Sequence, residues 1–219
     1  MILRFSALLA ALVAMIAATA GPAAAHPHVW VTVKSELVYA PDGTLKGVRH
    51  AWTFDDMFST FATQGLEAKK KGEFTREELA PLAKVNVESL KEYDFFTYLT
   101  VDNKLQKFEP PKEYWLEPYN GQLTLFFTLP LKQPLKVGRS TTLEIFDEEY
   151  FVAFTFTDKD PIKLDGAPAS CSTQFHKPKE LDAQTMAVLA AIPVDQHDLP
   201  PDLVETASAL ANSFTIACP

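Results

Sequence analysis

The chain has 219 residues, 20 of them Lys or Arg against 28 Asp or Glu, for a formal net charge of −8. That acidic balance disfavours nucleic acid and anionic lipid as partners and suits cations or cationic surfaces. Only two cysteines and five histidines are present, so any thiolate or imidazole chemistry rests on very few residues.

Residues 1–25 carry the pattern of a secretory signal peptide. Arg4 supplies a basic start, Phe5 to Thr19 an apolar stretch, Gly21-Pro22 a helix break and Ala23-Ala24-Ala25 a small-residue cleavage site. Cleavage there would make His26 the first residue of the mature chain. Taking 25 residues from 219 leaves 194, a length for a single β-sandwich-like domain over 26–219; losing Arg4 leaves 19 bases against 28 acids, a net of −9. No later apolar run reaches the roughly 18–20 residues of a membrane span, so no transmembrane segment is expected after signal cleavage.

From His28 to Tyr39 apolar residues alternate, with Val29, Val31 and Val33 on one side and Trp30, Thr32 and Lys34 on the other. Pro41-Asp42-Gly43 predicts a turn, and Leu45 to Phe54 a second strand forming a hairpin with the first. Residues 56–94 break this pattern. Asp56 can cap a helix from Met57 to about Lys70, and Thr75 with Glu78 forms a capping-box pair for a second helix. Leu79, Leu82, Asn86 and Leu90 lie along one stripe of it, and Pro81 would delay or bend it. Between the two, Glu67 to Glu78 has the length of a calcium loop, but Lys69 and Lys71 occupy positions 3 and 5 and would repel a cation.

Further strands are expected at Phe96–Val101, Lys104–Phe108, Glu113–Leu116, Gln122–Leu129, Thr141–Ile145 and Tyr150–Thr157, with Asp102-Asn103 and Asn120-Gly121 as turns. The fold class is therefore mainly β: an antiparallel β-sandwich with a helical insertion at about 56–94. A Pro-rich tail over about 158–219 ends in a C-terminal helix, Pro201 to Ser213, with Leu203, Ala207 and Leu210 on its apolar side. In an oxidising compartment Cys171 and Cys218 would pair and tether this tail.

The chemistry concentrates at the mature terminus. An N-terminal histidine offers its amine and ring Nδ1 together, and in an extended segment His26, His28 and Trp30 share a face. Pro27 lacks an N–H. The square-planar chelate that needs the amides of residues two and three is therefore excluded, and ligands must come from elsewhere. Alternation puts His50 on an apolar face of the second strand, in a hairpin that brings it towards His28. It also turns Asp147 inwards after Leu143 and Ile145, where a carboxylate needs a partner. His26, His28, His50 and Asp147 are thus the candidate metal ligands, for copper, nickel, cobalt or zinc. Asp55 and Asp56 suit a helix start, His176 sits among lysines, and His197 lies in a Pro-rich loop. No phosphate loop, nucleophile elbow or zinc-protease helix motif is present, and nothing positively indicates an enzyme.

Four stretches carry a resemblance: His26-Pro27-His28-Val29-Trp30, Trp52-Thr53-Phe54-Asp55-Asp56-Met57-Phe58-Ser59, Thr75-Arg76-Glu77-Glu78-Leu79 and Phe146-Asp147-Glu148-Glu149-Tyr150-Phe151. Together they resemble a bacterial family known as domain of unknown function 1007, across most of the mature chain up to about Phe156. The resemblance implies a periplasmic component of an ABC-type transport system, encoded near nickel/cobalt-type permeases, and it supplies no catalytic residues. Members similar to this chain often carry an Asp-rich loop where it has Lys69-Lys70-Lys71-Gly72. The combined expectation is a periplasmic metal-binding accessory or substrate-binding component, partnered with an inner-membrane metal permease or ABC transporter. The alternatives are a metal-free interaction module that docks on a transporter and, behind it, a copper redox enzyme with an N-terminal histidine ligand.

Overall fold

A computed structural model of the chain describes residues 27–70, 73–137, 141–157, 159–192, 199–201, 203 and 208–218. The expected signal peptide, His26, Lys71, Gly72 and His197 lie outside these residues.

Alternation of β-branched and aromatic residues produces two long strands, β1 (Val29–Tyr39) and β2 (Thr44–Phe54), paired antiparallel. Gly43, with φ +80°, closes the turn between them, and the Asp42 carboxylate accepts from the Thr44 N–H at 3.0 Å. The remaining strands are β3 (Thr97–Val101), β4 (Lys104–Leu105), β5 (Tyr114–Tyr119) and β6 (Gln122–Lys136). They are followed by β7 (Thr141–Ile145), β8 (Val152–Phe156), β9 (Ile162–Asp165), β10 (Ser172–His176) and β11 (Asn212–Ala217). One sheet runs β5-β6-β2-β1-β8, with β9 also on β1; the other runs β10-β11-β7-β3-β4. Both two-residue hairpin turns have the positive φ that their sequences favour, at Asp102-Asn103 and Asn120-Gly121.

The expected β-sandwich is present. Trp52, Phe127 and Leu129 of the first sheet share one buried cluster with Leu99, Leu143 and Phe214 of the second. Each such side chain contributes roughly 1.5–3 kcal/mol by leaving water. The pairing is not wholly antiparallel, because β8 and β9 both run parallel to β1.

Helix α1 (Asp56–Ala62) is shorter than expected and is capped by Asp55 rather than Asp56, through Phe58 N–H at 2.8 Å. Thr63 folds its hydroxyl back onto the Ser59 carbonyl at 2.9 Å, and Gly65 (φ +79°) follows, so the helix stops there. Helix α2 (Arg76–Leu90) starts with the full Thr75–Glu78 capping box and runs through Pro81. Its buried face is Leu79, Ala83 and Val87, rotated from the expected stripe, and Asn86 caps the Leu82 carbonyl. Glu78 also accepts from the Lys69 N–H at 2.9 Å, so its carboxylate organises the connection between the helices.

The tail departs most from expectation. It holds β9, β10 and α3 (Ala183–Ala190). Residues 201, 203, 208 and 209 are helical, but this helix gives way to β11. That strand lies inside the second sheet, between β10 and β7. The Cys171–Cys218 disulfide forms, and it staples the start of β10 to the end of β11, next to the Ser172–Ala217 pair.

Candidate functional site

His50 is where the ligand set first changes. Its ring is 1 % exposed and packs against Phe127 and Trp52, with centroids at 5.0 and 5.5 Å. The β1–β2 register places it opposite Ser35, and Ser35 Oγ is 2.9 Å from Nδ1. On the other side Thr97 Oγ1, from the second sheet, is 3.3 Å from Nε2. Thr97 already donates its hydroxyl proton to the Phe95 carbonyl at 2.8 Å. Thr97 must therefore accept from Nε2–H, which leaves Nδ1 to accept from Ser35. Burial pushes the His50 pKa down to about 3. His50 is thus a neutral bridge between the two sheets. Seven residues separate Ser35 from His28 along β1, roughly 23 Å at 3.3 Å per residue. The expected approach of His50 to His28 does not occur.

His28 and Asp147, by contrast, both bear on the loop that leads into β8. The His28 N–H donates to the Phe151 carbonyl at 2.8 Å, and its ring stacks on Phe151 with centroids 4.5 Å apart. The next residue, Val29, begins the parallel ladder with Val152. Asp147 is 5 % exposed and holds that junction together. Its Oδ1 accepts from Glu149 N–H and its Oδ2 from Val152 N–H, both at 2.9 Å. Tyr150, with φ +54°, turns its N–H onto the Asp147 carbonyl at 3.1 Å. Burial raises the Asp147 pKa and outweighs the backbone hydrogen bonds that lower it. The inward carboxylate is therefore resolved by backbone N–H groups, and Asp147 shapes the loop.

A cavity of about 220 Å³ opens beside this loop. Val31, Trp52 and Phe54 form its sheet wall, Asn86, Ser89 and Leu90 its helix wall. Its third side is a turn that the sequence did not announce. Asp94, Phe95 and Phe96 all take positive φ, at 47°, 54° and 49°, although none is glycine. Left-handed backbone of this kind costs roughly 1–2 kcal/mol per residue. Phe95 and Phe96 are both buried, and the Thr97 hydroxyl on the Phe95 carbonyl secures the turn. Phe96 lines the cavity, with Tyr93 stacked on it at 5.3 Å. An adjoining depression is lined by Glu92, Asp94, Asp147, Glu148 and Glu149 with two tyrosines. Burial first, then these carboxylates, raises the pKa of Tyr93 and of Tyr98.

Of the expected ligands, then, His28 and Asp147 border the same loop through Phe151 and Val152, His50 stands apart, and His26 lies outside the described residues. Among the described residues no group of three or more His, Cys, Asp or Glu side chains is placed to hold a metal ion. His176 is on β10, 2.8 Å from Thr215 Oγ1. Sequence reasoning missed the wall residues Tyr93 and Phe96. Their placement depends on the left-handed turn, which has no glycine to signal it.

The model of the protein family of unknown function DUF1007 matches residues 11–218, so the chain belongs to that family. The match runs past Phe156 and takes in the tail with β10 and β11. An uncharacterized protein of Haemophilus influenzae is 25 % identical over 176 residues, spanning 80 % of this chain and 83 % of its own. An uncharacterized 15.5 kDa protein in the trpE 3′ region of Spirochaeta aurantia is 28 % identical over 93 residues, 42 % of this chain and 66 % of its own.

Proposed function

We propose that this DUF1007 member is an exported accessory or binding component of a transition-metal transport system. Its cargo would be one copper, nickel, cobalt or zinc ion, exchanged with an inner-membrane metal permease or ABC transporter. The observation that carries the reading is the seating of His28 on Phe151, at the edge of the loop that bears Asp147, Glu148 and Glu149. A mature terminus at His26 would bring an amine and a second imidazole two residues from that anchor, beside carboxylates that attract a cation. The working ligands are His26 and His28 with a loop carboxylate; Asp147 holds the loop and His50 takes no part. Protons compete with a metal ion for amine and imidazole nitrogens, so affinity should fall on acidification from pH 7.5 to 5.5.

Calorimetric titration of correctly processed protein tests this reading. His26→Ala and His28→Ala should each weaken binding by tenfold or more, while His50→Gln, with its fold verified, should leave it unchanged. Equal affinity in wild type and His26→Ala would contradict it. One observation favours the rival, an interaction module without metal. Trp30, Met57 and Phe61 are large apolar side chains exposed on β1 and α1, whose backbones are joined by the Asp55 N–H to Trp30 carbonyl bond at 2.9 Å.

A further inference from the structure

The apolar cavity serves no purpose in holding a bare metal ion, and its own chemistry points to a different ligand. We propose that it is a binding site for a small arylalkylammonium ion, with the ring inside and the ammonium group at the Asp147–Glu149 loop. This inference is independent of the metal reading.

Size and lining select the apolar half of the ligand. At about 220 Å³ the space exceeds the roughly 150 Å³ of an apolar protein cavity that admits benzene, and it is too small for a long acyl chain. Its walls are mostly carbon, and Trp52, Phe54, Phe96 and Phe154 present aromatic surface on several sides. An aromatic ring packed edge-to-face or offset in such surroundings gains beyond simple burial.

Charge selects the other half. Among the described residues, Asp147 and Glu149 are the only charged side chains lining the cavity. The depression that shares Tyr93, Phe96 and both of these acids adds Glu92, Asp94 and Glu148, and among the described residues no Lys or Arg lines either space. A carboxylate or phosphate ligand would meet only like charge here, whereas an ammonium would find acceptors and the Tyr93 ring. The left-handed turn supplies a second pointer. Three non-glycine residues with positive φ are held in a costly conformation, and the turn delivers Phe96 to the cavity wall and Asp94 to the acidic rim. Strain maintained at such a place marks a site more readily than a simple connection.

The test uses 2-phenylethylamine, its neutral analogue 2-phenylethanol and the anion 3-phenylpropionate, each titrated calorimetrically into mature wild-type protein. The amine should bind at least about tenfold more tightly than the alcohol, as expected for a charge-assisted contact, and the anion should not bind. Glu149→Gln should bring the amine close to the alcohol. Ser89→Trp, placed on the exposed helix wall, should block both, with thermal melts verifying that each variant folds. Equal binding of all three probes, binding of none, or retention of binding in a folded Ser89→Trp would overturn the proposal. Metal titration of His26→Ala on the same samples separates the two readings, because that variant should lose the metal and keep the amine.

Discussion

Replacing His50 with Gln should change how the stability of this protein responds to acid. The ring is buried between the sheets, and burial holds its pKa at about 3 against an ordinary value of 6.5. The folded state therefore excludes a proton that the unfolded chain binds readily. Stability is fully present above pH 6.5 and is lost as pH falls towards 3, at about 1.4 kcal/mol per pH unit. Across that window the loss approaches about 5 kcal/mol, comparable with the whole stability of a small domain. By pH 4.5 it is about 3 kcal/mol. Gln does not titrate, so His50→Gln should start from a lower stability at pH 7.5, having lost part of the Ser35–His50–Thr97 bridge, yet decline less on acidification. Urea denaturation of both proteins at pH 7.5, 5.5 and 4.5 measures the difference, and groups that titrate in both cancel. Parallel stability profiles, or a His50 resonance titrating near pH 6.5 in the folded protein, would refute the reasoning.

Two further substitutions or treatments probe the frame around the site. Reducing the Cys171–Cys218 disulfide, whose cysteines are 47 residues apart, should cost roughly 4 kcal/mol on the chain-entropy estimate, read as a lower urea midpoint in the presence of reductant. An unchanged midpoint would show that β10 and β11 do not depend on the staple. Gly47→Ala should destabilise by about 1–3 kcal/mol, because its Cβ would sit 2.3 Å from the Leu129 carbonyl oxygen at the β2–β6 bulge. Thermal melts that match wild type would contradict that close approach.

Where short-range physics decides the structure, local signals in the sequence announce it. Alternation identifies the inward faces of β1 and β2 and places His50 and Asp147 inside. The Thr75–Glu78 capping box starts α2, and Asn120-Gly121 closes the β5–β6 hairpin. Features set by distant contacts were not legible. The parallel partners of β1 come from residues more than a hundred positions away, and no local pattern encodes that register. Asn212–Ala217 does alternate, but the preceding apolar stripe of Leu203, Ala207 and Leu210 supports a longer helix equally well; pairing with β7 and β10 decides the matter. Alternation marks His50 as a buried histidine, yet its partner Thr97 belongs to the other sheet. The turn at Asp94–Phe96 adopts left-handed backbone without glycine, against local preference, and with it the cavity wall stayed hidden.

The central claim concerns the mature terminus and its cargo, and native mass spectrometry addresses both at once. Protein should be purified from periplasm without tag or chelator and titrated with copper, nickel, cobalt and zinc. The account predicts a mass that begins at His26 and holds one tightly bound ion, lost in His26→Ala. A mature mass beginning at His26 that retains no specific ion would contradict it.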